Sequence, residues 1–505
     1  MKKPFLLTLF TIILTGNLLF SCGTTEAVSE PQPVTTSLDS LFRVYLNHPA
    51  LQGAQVGIFI QDPETRRVIF GKNPHTLFIP ASNQKLITTA AALDILGPEH
   101  RFHTDFYAED SLGETGVLEG DLYIRGGGDP TISGRFHEDD LTYDLRAWAD
   151  SLKSDGITGI RGDIIVDANL FHDRPAHPAW ENRDLSYWYA AQVSALSLND
   201  NCVNITIRPG DSLGEPAGLG VEPETDYVAV DNRLVTVHED SLTDYEYYRE
   251  PGTNHIVFSG RISRSEDRIK DWVTVDDPAR FTGEVFRDVL RKQGIAVTGT
   301  VLRTDSIPDY REKVRLFQHQ SPPLQEILGV INQRSQNLYA EMVFKMLGFH
   351  KKADGSFAGG KAAVESYLAG VGVDTEHMRV SDGSGLSRHN LVSPFQLVTV
   401  LRDMYTGDYR REYLQSLSRA GENGTLENRF RGSIADGRVM AKTGYVGSVR
   451  TLSGYLDTMD NHRLIFSLMV NNYTTNTSVI NELQDSLISI ISSKTLGDLA
   501  KNQGA

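Results

Sequence analysis

Phe78-Ile79-Pro80-Ala81-Ser82-Asn83-Gln84-Lys85-Leu86-Ile87 is the stretch from which the fold can be read outward. Upstream, Gln55 to Gln61 and Arg67 to Phe70 read as two strands joined by the turn Asp62-Pro63-Glu64-Thr65. Downstream, a helix is predicted from Asn83 to Leu96, with Gly97-Pro98 as its stop. Ser82 and Lys85 therefore stand at a helix start, at i and i+3, on one face and one turn apart. Two more short motifs follow in order. Ser335-Gln336-Asn337 precedes an apolar helix over Leu338 to Leu347, and Lys442-Thr443-Gly444 ends a strand. Taken singly, each has a bland reading as a helix start, a loop or a strand end. Their order, with a fitting element around each, argues against chance. Ser197-Leu198-Asn199 also fits the second pattern but lies in a strand-rich region, before the helical part resumes.

The chain has 505 residues, too many for one ordinary core, so two or three domains are expected. Acidic residues outnumber basic ones by 65 to 49, for a net charge of -16, which argues against a nucleic-acid partner. The plain reading of this acidity is a solvated surface. Two cysteines, Cys22 and Cys202, supply neither a disulfide framework nor a cysteine zinc site, and the histidines show no metal spacing. No metal and no cofactor is expected. Cys202 reads as a small buried apolar residue rather than a nucleophile.

The N-terminus reads as a targeting segment. Lys2 and Lys3 precede an apolar run from Phe5 to Phe20, interrupted at Gly16-Asn17 and too short for a comfortable span. It ends in Leu19-Phe20-Ser21-Cys22-Gly23, which resembles a bacterial lipobox, although Phe20 departs from the small residue usual there. Cys22 would then carry lipid; a plain cleaved signal is the alternative. The Thr-, Pro-, Ser- and Glu-rich residues that follow read as a tether.

Beyond Phe102 short strands alternate with turns, and Gly120-Asp121-Leu122-Tyr123-Ile124 is echoed by Gly162-Asp163-Ile164-Ile165-Val166. Tyr187 to Ser265 reads as strands and loops. From Leu316 the first pattern resumes, helical to about Thr406, then a meander over 437–444, 449–458 and 464–472 and a helix over 478–493. An antiparallel sheet flanked by terminal helices, with a helical lobe, is an α+β domain interrupted by a long insert.

The three motifs define one chemistry. A neutral Lys85 amine can take the Ser82 proton as the hydroxyl attacks a carbonyl. That needs a lowered pKa, from burial and from a neighbouring positive charge such as Lys442. Ser335 would relay a proton to the leaving amine, and Asn337 would hold Lys85 and a substrate amide. Lys442 and Thr443 would bind a terminal carboxylate, and Gly444 would let the substrate backbone lie close to the strand. Backbone N–H groups of Ser82 and Tyr445 would form an oxyanion hole. Gly126-Gly127-Gly128 is either a turn or a ligand contact. Asp129 beside it could face the cleft and read a substrate amino group. Asp382 to Arg388 reads as a turn near the site, with Ser384 or Leu386 lining it as the alternative.

On these residues the chain resembles the D-alanyl-D-alanine carboxypeptidase/endopeptidase family of low-molecular-mass penicillin-binding proteins. The long spacing from Ser82 to Ser335, against the short one to Lys442, resembles its class C branch. Gly126 to Thr131, Ser194 to Asn199, Asp382 to Arg388 and Gly424-Thr425-Leu426 are similar too. The resemblance implies a penicillin-binding, transpeptidase-like α+β domain with nested inserts. In residues, that is a lipoprotein signal over 1–22 and a tether over 23–36. The peptidase domain would be split over 37–103 and 313–495, a second domain over 104–185 and 268–312, and a third would span 186–267. It also implies a periplasmic serine-type D-Ala-D-Ala carboxypeptidase or DD-endopeptidase, with peptidoglycan stem peptides as substrate and beta-lactams as acylating ligands. A beta-lactamase- or esterase-like hydrolase and a catalytically weak wall-binding lipoprotein are the competing readings. Oligomeric state is not legible.

Overall fold

A computed structural model describes residues 38–109 and 115–501. The expected signal peptide, the tether and Cys22 lie outside the described residues. The central element is a six-stranded antiparallel sheet in the order Ser418–Arg419, Val439–Val446, Val449–Asp457, Arg463–Asn471, Gln55–Gln61, Val68–Lys72. Its inner strand Arg463–Asn471 shows why it is buried on both sides. Leu464, Phe466, Leu468 and Val470 point into one core, with Phe42, Ile480 and Leu487 of the terminal helices Leu38–Leu46 and Thr477–Ser492. Ile465 and Met469, offset by one residue, enter the other core against the helical lobe.

In that lobe the helix Gln84–Leu96 is apolar nearly all round, and its residues from Gln84 to Leu93 are buried. A helix of this kind sits at the centre of a bundle. Leu324–Gln333, Asn337–Lys352, Phe357–Gly370, Pro394–Thr406 and Arg410–Ser416 surround it. Helix, strand and sheet content is the expected α+β class. The predicted helix start moves by a residue, because Ala81–Asn83 forms a separate 3-10 turn in front of it. The helix Arg410–Ser416 was not anticipated beyond Thr406.

Between Leu96 and Leu324 the chain builds a mixed five-stranded sheet, in the order Val301–Arg303, Ile164–Asp167, Leu122–Gly126, His103–Ala108, Val314–Gln320. Tyr143–Ser154 and Pro278–Lys292 pack against it. The two echoing sequence stretches are neighbours here, with Leu122, Tyr123 and Ile124 paired in parallel with Ile164, Ile165 and Val166. Further along are three-stranded sheets, one of which joins Ile269–Thr274 to Cys202–Arg208 and Gly218–Glu222. Ile269–Thr274 pairs with Cys202–Arg208, and Val314–Gln320 pairs with His103–Ala108. In each case the first of the two strands lies beyond the boundary read from the sequence and pairs with a partner far upstream.

Candidate active site

Ser82 sits in the 3-10 turn Ala81–Asn83, which Ala81 enters with φ 47. The turn is tied to the sheet through Asn83. Its Nδ2 donates to the Lys442 carbonyl at 2.7 Å, and its Oδ1 accepts from Ser453 at 2.8 Å. The first and third motifs are thereby one rigid assembly. Lys85, fully buried one turn on, places Nζ 3.1 Å from Ser82 Oγ, 2.5 Å from Asn337 Oδ1 and 2.7 Å from the Ser384 carbonyl. Lys442 Nζ donates to Ser335 Oγ and to the Thr443 carbonyl, each at 2.9 Å. All five residues expected to do chemistry are thus in one constellation.

Burial pushes the Lys85 ammonium down to about 7, while the carboxyl groups of Glu341 and Asp382 pull it the other way. Lys442 is held well below its ordinary range by burial, then by repulsion from Lys85 and Arg450. Burial is the first cause at both lysines, and the repulsion between them disfavours both being charged at once. Burial and the nearby Asp382 raise Glu341 to about 8. Its carboxyl group accepts from the N–H groups of Gly383 and Ser384 at 2.9 and 2.8 Å.

Asp382 organises the turn that follows, accepting from Gly385 N, Ser387 N, Asn390 Nδ2 and Trp180 Nε1 at 2.8, 2.6, 2.7 and 2.9 Å. This turn aims the Ser384 carbonyl at Lys85. The Ser384 side chain is fully buried and does not reach the cleft, whereas Leu386 lines it. Glu341, Asp382 and Asn83 were missed as site residues. The available signals were an acid in an otherwise apolar helix, four residues after Asn337, and an asparagine inside the first motif.

The constellation opens into a cleft of ≈ 990 Å³ lined by Ser82, Ser335, Asn337, Leu386, Thr443 and Tyr445 on one side. Arg183, Asp184, Trp188 and Tyr189 of the inserted region line the other. The short strand Ser418–Arg419 covers only Met440 and Ala441, so the edge from Lys442 onward is free of strand partners on the cleft side among the described residues.

Two expectations change here, for Asp129 and Gly444, and the glycine run takes the turn reading. Asp129 is fully buried away from the cleft, accepting from Thr131 N and Oγ1 at 2.8 and 2.7 Å, and burial raises it to about 7. Gly126-Gly127-Gly128 is a close-packed turn, since a Cβ on Gly127 would stand 1.9 Å from the His103 carbonyl oxygen. A Cβ on Gly444 would stand 2.2 Å from Thr451 Oγ1 and 3.1 Å from Ser82 N. The glycine is therefore required by the Thr451 side chain on the paired strand and by the approach of the Ser82 turn, before any substrate arrives.

Comparison with known proteins agrees with this geometry. The chain is 34% identical over 440 residues to a D-alanyl-D-alanine carboxypeptidase of Actinomadura sp. (strain R39), covering 85% of this chain and 80% of that one. It is 27% identical to the D-alanyl-D-alanine carboxypeptidase DacB of Haemophilus influenzae, over 84% of this chain and 87% of the relative. The crystal structure of penicillin binding protein 4 (dacB) from H. influenzae matches in fold with a TM-score of 0.78 at 23% identity. That match covers 88% of this chain and 99% of the other, and the same protein is also known complexed with a beta-lactam. The model of the D-Ala-D-Ala carboxypeptidase 3 (S13) family matches residues 38–494, and the chain belongs to this family.

Proposed function

We propose that this protein is a serine-type D-Ala-D-Ala carboxypeptidase and DD-endopeptidase of peptidoglycan stem peptides, acting through an acyl-enzyme on Ser82 and acylated there by beta-lactams. The observation that carries the reading is the hydrogen-bond arithmetic of Lys85. A neutral amine has two N–H donors and one lone pair. Lys85 Nζ has three acceptors, Asn337 Oδ1, the Ser384 carbonyl and Ser82 Oγ; when the amine is neutral the first two keep its N–H groups, and its lone pair is left toward the Ser82 hydroxyl.

The reaction then follows. Lys85 takes the Ser82 proton as Oγ attacks the penultimate D-Ala carbonyl, and the oxyanion is received by the N–H groups of Ser82 and Tyr445. The C–N bond breaks as the departing amine takes a proton from the Ser335 hydroxyl, held by Lys442; the proton that Lys85 took from Ser82 replaces it, so Lys85 is neutral again. Water, deprotonated by Lys85, opens the ester and returns Ser82. A peptide lying along the open edge beyond Lys442 would place its terminal carboxylate at Lys442 and Thr443. Two carboxylates line the cleft: Glu181, paired with Arg183 at 2.6 Å, and Asp184, which accepts from Tyr189 Oη at 3.1 Å. Asp184 takes over the reading of a substrate amino group assigned above to Asp129.

The nested three-domain layout is part of the same proposal, with inserts ending near Thr274 and Gln320, in line with the strand pairing. So is a periplasmic location with a lipid anchor on Cys22, supported by the Leu19-to-Gly23 pattern.

The test is mass spectrometry of the protein lacking its first 22 residues after exposure to benzylpenicillin, alongside D-Ala release from a stem pentapeptide. A stable adduct on Ser82, absent in Ser82→Ala, with D-Ala release is the expected result. Rapid consumption of penicillin without peptide cleavage would move the protein to the beta-lactamase-like reading. No adduct, no turnover and retained peptidoglycan binding would mean a wall-binding protein with an inactive site.

A further inference from the structure

Asn199, Asp200 and Asn201 adopt φ of 49, 55 and 57, three left-handed residues in succession. Asn and Asp tolerate this region one at a time, and a run of three is strained. The surrounding chain braces the turn. Asn199 N donates to the Ile132 carbonyl at 2.9 Å, Asn201 Nδ2 to the Gln192 carbonyl at 2.7 Å, and Val275 N to the Asn201 carbonyl at 3.0 Å. The turn aims Asp200 at the second motif, where Oδ2 accepts from Gln336 Nε2 at 2.8 Å. Arg135 Nε also donates to it, at 2.9 Å. The other oxygen, Oδ1, is buried with no hydrogen-bond partner among the described residues. Strained backbone and an orphaned oxygen are both unfavourable, so the placement serves something other than the stability of the turn.

What it holds is the middle of Ser335-Gln336-Asn337. The buried Gln336 amide is committed at both ends, its Oε1 accepting from Leu338 N at 3.3 Å while Nε2 reaches Asp200. Its neighbour Ser335 is itself left-handed at φ 59 and meets Lys442 at 2.9 Å, and Asn337 meets Lys85 at 2.5 Å. A displaced Gln336 moves both contacts at once. We propose that Asp200, from the inserted region, is a positioning residue for acyl transfer, fixing the Ser335–Asn337 loop through Gln336. This rests on the proposed Ser82 acylation.

The experiment measures benzylpenicillin acylation of Asp200→Ala, Gln336→Ala and their double variant. Each single change should lower the limiting acylation rate about tenfold or more, with a smaller change in the half-saturating concentration, since displacement near reacting groups of the order of 1 Å can cost about a hundredfold. The double variant should be no slower than the slower single one, because both remove one link. A reciprocal pair covers the case in which Asp200→Ala fails to fold. Gln336→Glu sets two carboxylates together and should be slow, and adding Asp200→Asn reverses the hydrogen bond and should restore the rate. Multiplicative losses in the double alanine variant, unchanged rates, or no recovery in the reciprocal pair would overturn the proposal. If the unaltered protein is not acylated, the proposed function fails instead, a result distinguishable from failure of Asp200 alone.

Discussion

At the scale of single residues, the site turns on one proton. Above a pH of about 7 the Lys85 amine is neutral and can accept it; below, it is ammonium and has no lone pair to offer. Acylation by benzylpenicillin should therefore rise with pH through a midpoint near 7 and level off above it. A rate independent of pH across that midpoint would exclude Lys85 as the base. Lys85→Arg, which keeps the charge but does not deprotonate, should lose roughly a hundredfold to ten-thousandfold. Asp129 shows how a residue misleads at this scale. An acid beside a glycine run looks like a ligand contact, and only its burial against Thr131 shows that it is not.

Elements set the distances between those residues. The strand Val439–Val446 and the turn Ala81–Asn83 are in contact at Gly444 and joined by Asn83. Gly444→Ala should push the turn away from the strand and slow acylation about a hundredfold. Thermal stability should fall less severely, because the sheet register around Thr451 and Ser453 stays paired. The check is the acylation rate beside a melting curve. A variant as fast as the unaltered protein would show that the turn yields without moving Ser82. The boundaries of the sheet strands and of the terminal helix were legible from alternating and helical apolar patterns within a residue or two, whereas the helix expected over Leu338 to Leu347 runs on to Lys352. The 3-10 turn was not legible, since its geometry comes from contact with the sheet rather than from its own sequence.

For the whole molecule, one buried apolar cluster runs through lobe and insert alike. It takes in Leu86 and Ile87 beside Ser82, Phe106 and Trp148 on the five-stranded sheet, and Val203 and Phe258 in the inner insert. Shared cores unfold together. The four tryptophans, Trp148, Trp180, Trp188 and Trp272, all lie in the inserted region, and Trp180 donates to Asp382, so their fluorescence reports on that region and on its contact with the lobe. Penicillin labelling of Ser82 reports on the rest. The two should be lost at the same temperature, and a separate earlier fluorescence transition would show the insert to be an independent unit.

The amino-acid sequence alone determined the α+β class and the family resemblance, and singled out Ser82, Lys85 and the second and third motifs as candidates for the site. These follow from spacing along the chain, where i and i+3 on a helix or alternation on a strand sets which side chains share a face. The tertiary structure alone decided the second wall of the cleft, with Glu181 and Asp184 on it, and the burial that tunes Lys85. It also decided the supports at Asn83, Glu341, Asp382 and Asp200. Each of these is a contact between distant parts of the chain, such as Asn83 with Lys442 across 359 residues or Gln336 with Asp200 across 136. Local pattern specifies which face of an element is apolar. Which foreign residue meets it is settled when the whole core closes.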